Sequence, residues 1–63
     1  MISAAQLQNL EFEYEEVLET WSYKDILVYF SESDMVVHLN TFELYGIRDV
    51  RDLTKLIELV YGS

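Results

Sequence analysis

Ile26-Leu27-Val28-Tyr29-Phe30-Ser31-Glu32-Ser33-Asp34-Met35-Val36-Val37-His38-Leu39 is the stretch whose reading decides the fold. Residues 26–30 and 35–39 are rich in β-branched and aromatic side chains, which favour a pleated, half-buried surface. Between them Ser31-Glu32-Ser33-Asp34 is polar and turn-like. Two such runs around a short polar break predict an antiparallel hairpin. The break lacks the Asn-Gly pair that marks the tightest turns, so its length stays open. Period-two alternation puts His38 on the face of Val36, opposite Val37 and Leu39. No serine or cysteine nucleophile pattern surrounds His38, and it reads as an ordinary strand histidine.

An isolated hairpin is marginally stable and needs helix cover or further strands. On the N-terminal side, Ser3 and Gln6 have the spacing of a helix capping box. Leu7, Leu10, Tyr14, Val17, Leu18 and Trp21 then recur at steps of three and four, which predicts one apolar helical face. Glu11, Glu15, Glu16 and Glu19 fall off that face, and Phe12 is its exception. The rival reading is a strand in which Leu10, Phe12 and Tyr14 alternate with glutamates. The helix is preferred because its pattern runs longer. On the C-terminal side, Asn40 or Thr41 is placed to cap a short helical turn, Phe42-Glu43-Leu44-Tyr45, ended by Gly46 in a left-handed conformation. Asp49 is placed to cap a last helix carrying Val50, Leu53, Leu56, Ile57 and Val60. Alternation of Leu53, Ile57, Leu59 and Tyr61 competes as a third strand, and both readings of residues 49–61 stand. The expected fold is therefore α+β: an N-terminal helix, a central antiparallel hairpin, and a C-terminal helix or third strand, in one acidic domain over residues 1–63.

Charge is distributed very unevenly. Residues 1–46 hold nine of the twelve carboxylates and only Lys24 against them, while residues 47–63 balance three acids with Arg48, Arg51 and Lys55. The whole net charge of −8 thus belongs to the first part of the chain. Such asymmetry suggests a surface that imitates or repels a polyanion. Four bases against twelve acids oppose direct binding of nucleic acid or of an anionic membrane. Glu11, Glu13, Glu15, Glu16 and Glu19 run without a base among them. A solvated face is the plain reading of such a run. On a helix, however, Glu11–Glu15 and Glu15–Glu19 are repulsive pairs, and their retention points to use.

Size and composition narrow the chemistry further. A chain of 63 residues is one domain at most, and a domain that small buries only about 60% of its unfolded surface. There is no cysteine, so neither a disulfide nor a thiolate metal site is available. One histidine cannot build a nitrogen-ligand zinc site. Glu32 and Asp34 lack the spacing and loop glycine of a calcium site. No cofactor and no enzyme active site is expected, since paired carboxylates need a cleft that separates their pKa values. Association is the support left open to a small domain. A hydrophobic content of 51% also exceeds what one small core hides, so a homodimer is expected. Its interface is placed on the near-neutral C-terminal segment, because two strongly acidic regions repel. No segment has the roughly 20 apolar residues of a membrane helix. The N-terminus lacks the features of a signal peptide, and a cytoplasmic location is expected.

Glu15-Glu16-Val17-Leu18-Glu19, Lys24-Asp25-Ile26-Leu27-Val28, the turn Ser31-Glu32-Ser33-Asp34 and Met35-Val36-Val37 together resemble the acidic helix and hairpin of phage-encoded uracil-DNA glycosylase inhibitors. Phe42-Glu43-Leu44-Tyr45-Gly46 after a hairpin, followed by an apolar segment, looks like the smaller, dimeric type of such inhibitors. The two types have unrelated folds, and the resemblance spans residues 14–60. In the smaller type a glutamate stands on the returning strand where this chain has Val36. The connection between hairpin and aromatic motif is also longer in that type. The resemblance implies a DNA mimic that blocks an enzyme's DNA-binding groove. An exposed phenylalanine would enter an apolar pocket of the enzyme, a role that falls to Phe42 with Tyr45 in support. The partner-binding residues expected on this basis are Glu11, Glu15, Glu16, Glu19, Glu32, Asp34, Phe42, Glu43 and Tyr45. Their partner is a basic DNA-binding enzyme, with uracil-DNA glycosylase as the specific expectation. A structural or assembly module with a solvated acidic face is the alternative. An immunity or anti-defence protein against a nuclease is another.

Overall fold

The computed structural model describes residues 2–32 and 34–62. Ser33, in the expected central turn, lies outside the described residues. The fold is α+β: a helix α1 (Ala4–Asn9), five strands and a helix α2 (Val50–Tyr61). The strands are β1 (Glu13–Glu15), β2 (Thr20–Tyr23), β3 (Ile26–Ser31), β4 (Asp34–Leu39) and β5 (Phe42–Leu44). They form one antiparallel sheet in chain order, β1-β2-β3-β4-β5. The expected hairpin is its centre, with Ile26 opposite Leu39 and Ser31 opposite Asp34.

The N-terminal helix is present but stops at Asn9, well short of the periodicity that runs to Trp21. Its start follows the expected capping box. The Ser3 hydroxyl accepts from Gln6 N–H at 3.3 Å, and Ser3 N–H donates to Gln6 Oε1 at 2.9 Å. Its end is a Schellman motif built without glycine. Glu11 takes the left-handed conformation at φ 70°. The N–H groups of Glu11 and Phe12 then close back onto the carbonyls of Gln8 and Leu7, at 2.9 and 3.0 Å. Phe12 and Leu7 meet in the core, the apolar contact that usually accompanies this motif. The chain leaves in an extended path, so Glu13–Glu15 pair with Thr20–Ser22 as strands. The rival strand reading holds for Glu13–Glu15 alone, since Leu10 and Glu11 form the helix stop and Phe12 precedes the strand. Glu11, Glu15 and Glu19 therefore do not form a repulsive helical stripe.

The segment after the hairpin is also a strand rather than a helical turn. Asn40 sits at φ 57° in a two-residue turn, and Asn tolerates that region better than most residues. The reversal lets Phe42–Leu44 pair with Val37–Leu39 and satisfy the outer edge of β4. Gly46 does take the expected left-handed conformation, at φ 85°. Residues 50–61 are helix. The Asp49 carboxylate caps it by accepting from Asp52 N–H at 3.0 Å, and Asp52 reaches back to Arg48 N–H at 3.1 Å.

The core lies between the sheet and the two helices. Trp21, Ile26, Val28 and Val37 project from one sheet face and meet Leu7 of α1 and Leu53 of α2, with Ile2 and Phe12 closing the cluster. Leu7, Ile26, Val28 and Leu53 are completely buried. Both helices thus cover the same side of the sheet.

Candidate functional site: an acidic sheet face

Alternation along the strands sends the remaining side chains to the face that neither helix covers. Cross-strand register arranges them in rows. One row runs Glu13, Ser22, Leu27, His38, Glu43 from edge to edge. The next contains the pairs Glu15–Thr20 and Tyr29–Val36. The third is Ser31–Asp34. Leu27, Tyr29, Val36 and His38 make a half-buried centre. The Tyr29 and His38 rings stack, with centroids 5.7 Å apart and planes 22° apart. His38 Nε2 is shielded from solvent and has no hydrogen-bond partner among the described residues. Glu13, Glu15, Asp34 and Glu43 are exposed around this centre.

The strands contain no lysine or arginine. Lys24 lies in the β2–β3 turn, where its Nζ sits over the rings of Tyr61 and Tyr23 at 4.6 and 5.4 Å. Arg51 and Lys55 belong to α2, on the covered side. Arg48, just before α2, lines a groove with Asp34, Glu43 and Tyr45 at the corner of the sheet where β5 ends. The open face therefore carries Glu13, Glu15, Asp34 and Glu43, with Arg48 at one corner, while Arg51 and Lys55 lie on the other side of the sheet. Among the described residues no group of three or more His, Cys, Asp or Glu side chains is arranged to hold a metal ion.

The meander also divides the expected partner-binding residues between the two ends of the sheet. Glu15, Glu16 and Glu19 flank or form the β1–β2 loop, and Glu32 and Asp34 border the β3–β4 turn. Those connections and Tyr45, which leaves β5, share one end. Glu43 lies on the open face. Glu11 and Phe42 are at the opposite end, with the β2–β3 and β4–β5 turns. Phe42 and Tyr45 are both exposed, at 70% and 84%. They are not neighbours on one surface: Phe42 alternates with Glu43 and so projects toward the covered side, while Tyr45 borders the groove beside Val36.

Sequence reasoning missed Glu13 as a member of the acidic face, and it missed the apolar centre. A signal for Glu13 existed in the alternation Glu11-Phe12-Glu13-Tyr14-Glu15, which puts Glu13 and Glu15 on one side of a strand. Val17 and Leu18, assigned to a buried helix face, lie exposed in the β1–β2 loop. Glu15 Oε1 accepts from Val17 N–H there, at 3.1 Å. Among the described residues no helix is long and apolar enough to cross a membrane. Comparisons of the chain with protein-family models, with curated proteins and with solved structures return no match.

Proposed function

We propose that this chain is a non-enzymatic inhibitor that imitates DNA and blocks the DNA-binding groove of a DNA-processing enzyme, with uracil-DNA glycosylase as the first target to test. The observation that carries the reading is the sheet itself, whose open face and one end present carboxylates from Glu13, Glu15, Glu16, Glu19, Glu32, Asp34 and Glu43 while no strand contains a lysine or arginine. Carboxylates so placed would occupy the lysine and arginine sites that normally hold phosphates. Complementary charge speeds encounter, and apolar burial slows release. The proposed setting is the cytoplasm of an infected bacterial cell, where such an enzyme is met. The proposed state is a homodimer joined through the near-neutral C-terminal helix, on whose outer side Leu59 is 85% exposed.

The test is inhibition of uracil excision by the purified protein at graded salt. Inhibition that weakens as salt rises is expected, because exposed charges are screened beyond about 10 Å at 0.1 M salt. Absence of inhibition at low salt removes the glycosylase. Capture of a different basic DNA-binding enzyme from a bacterial lysate, released by salt, would keep DNA mimicry and change the target. A chain that captures only itself would turn the reading toward a structural module.

A further inference from the structure

The uncovered face pairs an apolar centre with acidic rims, and that combination specifies an occupant. Leu27 and Tyr29 on β3 face His38 and Val36 on β4 as a two-by-two patch, and nothing from α1 or α2 lies on their side. Glu13 and Glu43 close the Leu27–His38 row at its two ends. Strands are about 4.8 Å apart, so the four spacings from β1 to β5 put these carboxylates on the order of 19 Å from one another. A second copy of the chain is a poor occupant. Both sheet edges are acidic, so either face-to-face orientation sets carboxylates against carboxylates. A partner with bases on both sides of an apolar strip meets attraction at each rim and burial at the centre.

We infer that the uncovered sheet face is the docking surface of this protein, with Leu27, Tyr29 and Val36 as its desolvated contact and a basic protein surface carrying central apolar side chains as its occupant. The inference rests on the DNA-mimic reading and deepens it. It moves the apolar anchor away from Phe42, which is at the far end of β5 and projects to the other side. Glu13, Glu15, Asp34 and Glu43 stand around the apolar centre, with Arg48 beside Asp34 and Glu43 at one corner, an arrangement in which peripheral contacts exclude water from a central hot spot.

Two measurements test it. In the first, inhibition of uracil-DNA glycosylase is compared for the parent, Leu27→Asn, Glu43→Lys, Phe42→Ala and, as a charge-matched control in the β2–β3 turn, Asp25→Lys. Each variant is first checked for an intact thermal transition. Leu27→Asn and Glu43→Lys should each weaken inhibition by about tenfold or more, with Asp25→Lys within about twofold of the parent. Only Glu43→Lys should flatten the salt dependence. Parent-like inhibition by Leu27→Asn and Glu43→Lys, with a large loss in Phe42→Ala, overturns the inference and restores Phe42 as the anchor. The second measurement does not depend on that enzyme. An octapeptide of four central leucines flanked by a lysine pair at each end is titrated into the isotope-labelled chain and amide shifts are followed. Changes centred on Ser22, Leu27, Val36 and His38 support the face, even if the glycosylase is not inhibited and that target falls. Changes confined to the Glu16–Glu19 loop or to α2 overturn it.

Discussion

The hydroxyl of Tyr61 accepts a hydrogen bond from the backbone N–H of Asp25 at 2.9 Å, joining the last turn of α2 to the β2–β3 turn. The same ring meets Tyr23 edge-on, with centroids 5.9 Å apart, and carries the Lys24 ammonium over its face. Tyr61 thus fastens the C-terminal helix to the far end of the sheet. Tyr61→Phe removes the hydrogen bond and keeps the ring. It should cost about 1 kcal/mol, the usual net worth of one such bond. In urea the midpoint should fall with an unchanged slope. An unaltered midpoint would mean that water replaces the hydroxyl at no cost.

Glu11 is one of five non-glycine residues in the left-handed region among the described residues, with Glu19, Lys24, Glu32 and Asn40. It holds the left-handed position of the α1 stop, a place usually filled by glycine. Left-handed geometry costs a side-chain-bearing residue about 1–2 kcal/mol. Glu11→Gly should therefore stabilise the chain, by about 0.5–1 kcal/mol after the extra flexibility of glycine in the unfolded state is subtracted. A lower melting temperature in this variant would show that the Glu11 side chain has a compensating role.

Leu59 provides the test of self-association. It is exposed near Lys55 and Glu58, on a part of the chain with no net charge. If copies pair through this helix, the melting temperature should rise with protein concentration. Leu59→Glu should abolish that dependence while leaving the monomer's fold intact. Sedimentation of the parent as a monomer at high micromolar concentration would remove the homodimer.

Phe42 and Tyr45 separate stability from binding. Burial of a Phe normally makes truncation to Ala cost about 3–5 kcal/mol. Because both rings are exposed, Phe42→Ala and Tyr45→Ala should each change unfolding by less than about 1 kcal/mol. Tyr45→Ala, beside Val36 at the border of the open face, should weaken partner binding more than Phe42→Ala. Isothermal titration of both variants against the captured enzyme gives the ranking, and the reverse order would count against the sheet face.

Much of the fold was legible because its signals are local. The hairpin follows from two β-branched runs, α1 begins where Ser3 and Gln6 can cap each other, and α2 begins where the Asp49 side chain can accept from Asp52. The misread segments share a different cause. Leu10, Tyr14, Val17, Leu18 and Trp21 keep helical spacing, but spacing counts only if the helix has something to pack on at each turn. Trp21 instead gains burial by pairing opposite Val28, seven residues on, and takes the intervening chain out of the helix. The stop at Glu11 gave no warning, since its left-handed conformation is filled by a residue that does not advertise it. Phe42–Leu44 read as a turn because the unpaired edge of β4, which recruits it, is invisible in the segment's own composition.

Charge and the central strands were written in the order of residues, and they alone already opposed nucleic-acid binding and pointed to a partner of opposite sign. Which carboxylates share a surface was decided by the tertiary structure. A meander sorts loops between two ends and alternation sorts side chains between two faces, so Glu13 and Glu43, thirty positions apart in sequence, close one row while Glu11 and Glu15 part company. The helices then chose the face to cover, because burying Trp21, Ile26, Val28 and Val37 against Leu7 and Leu53 removes more apolar surface from water than covering Leu27, Tyr29, Val36 and His38 amid carboxylates that would have to be desolvated.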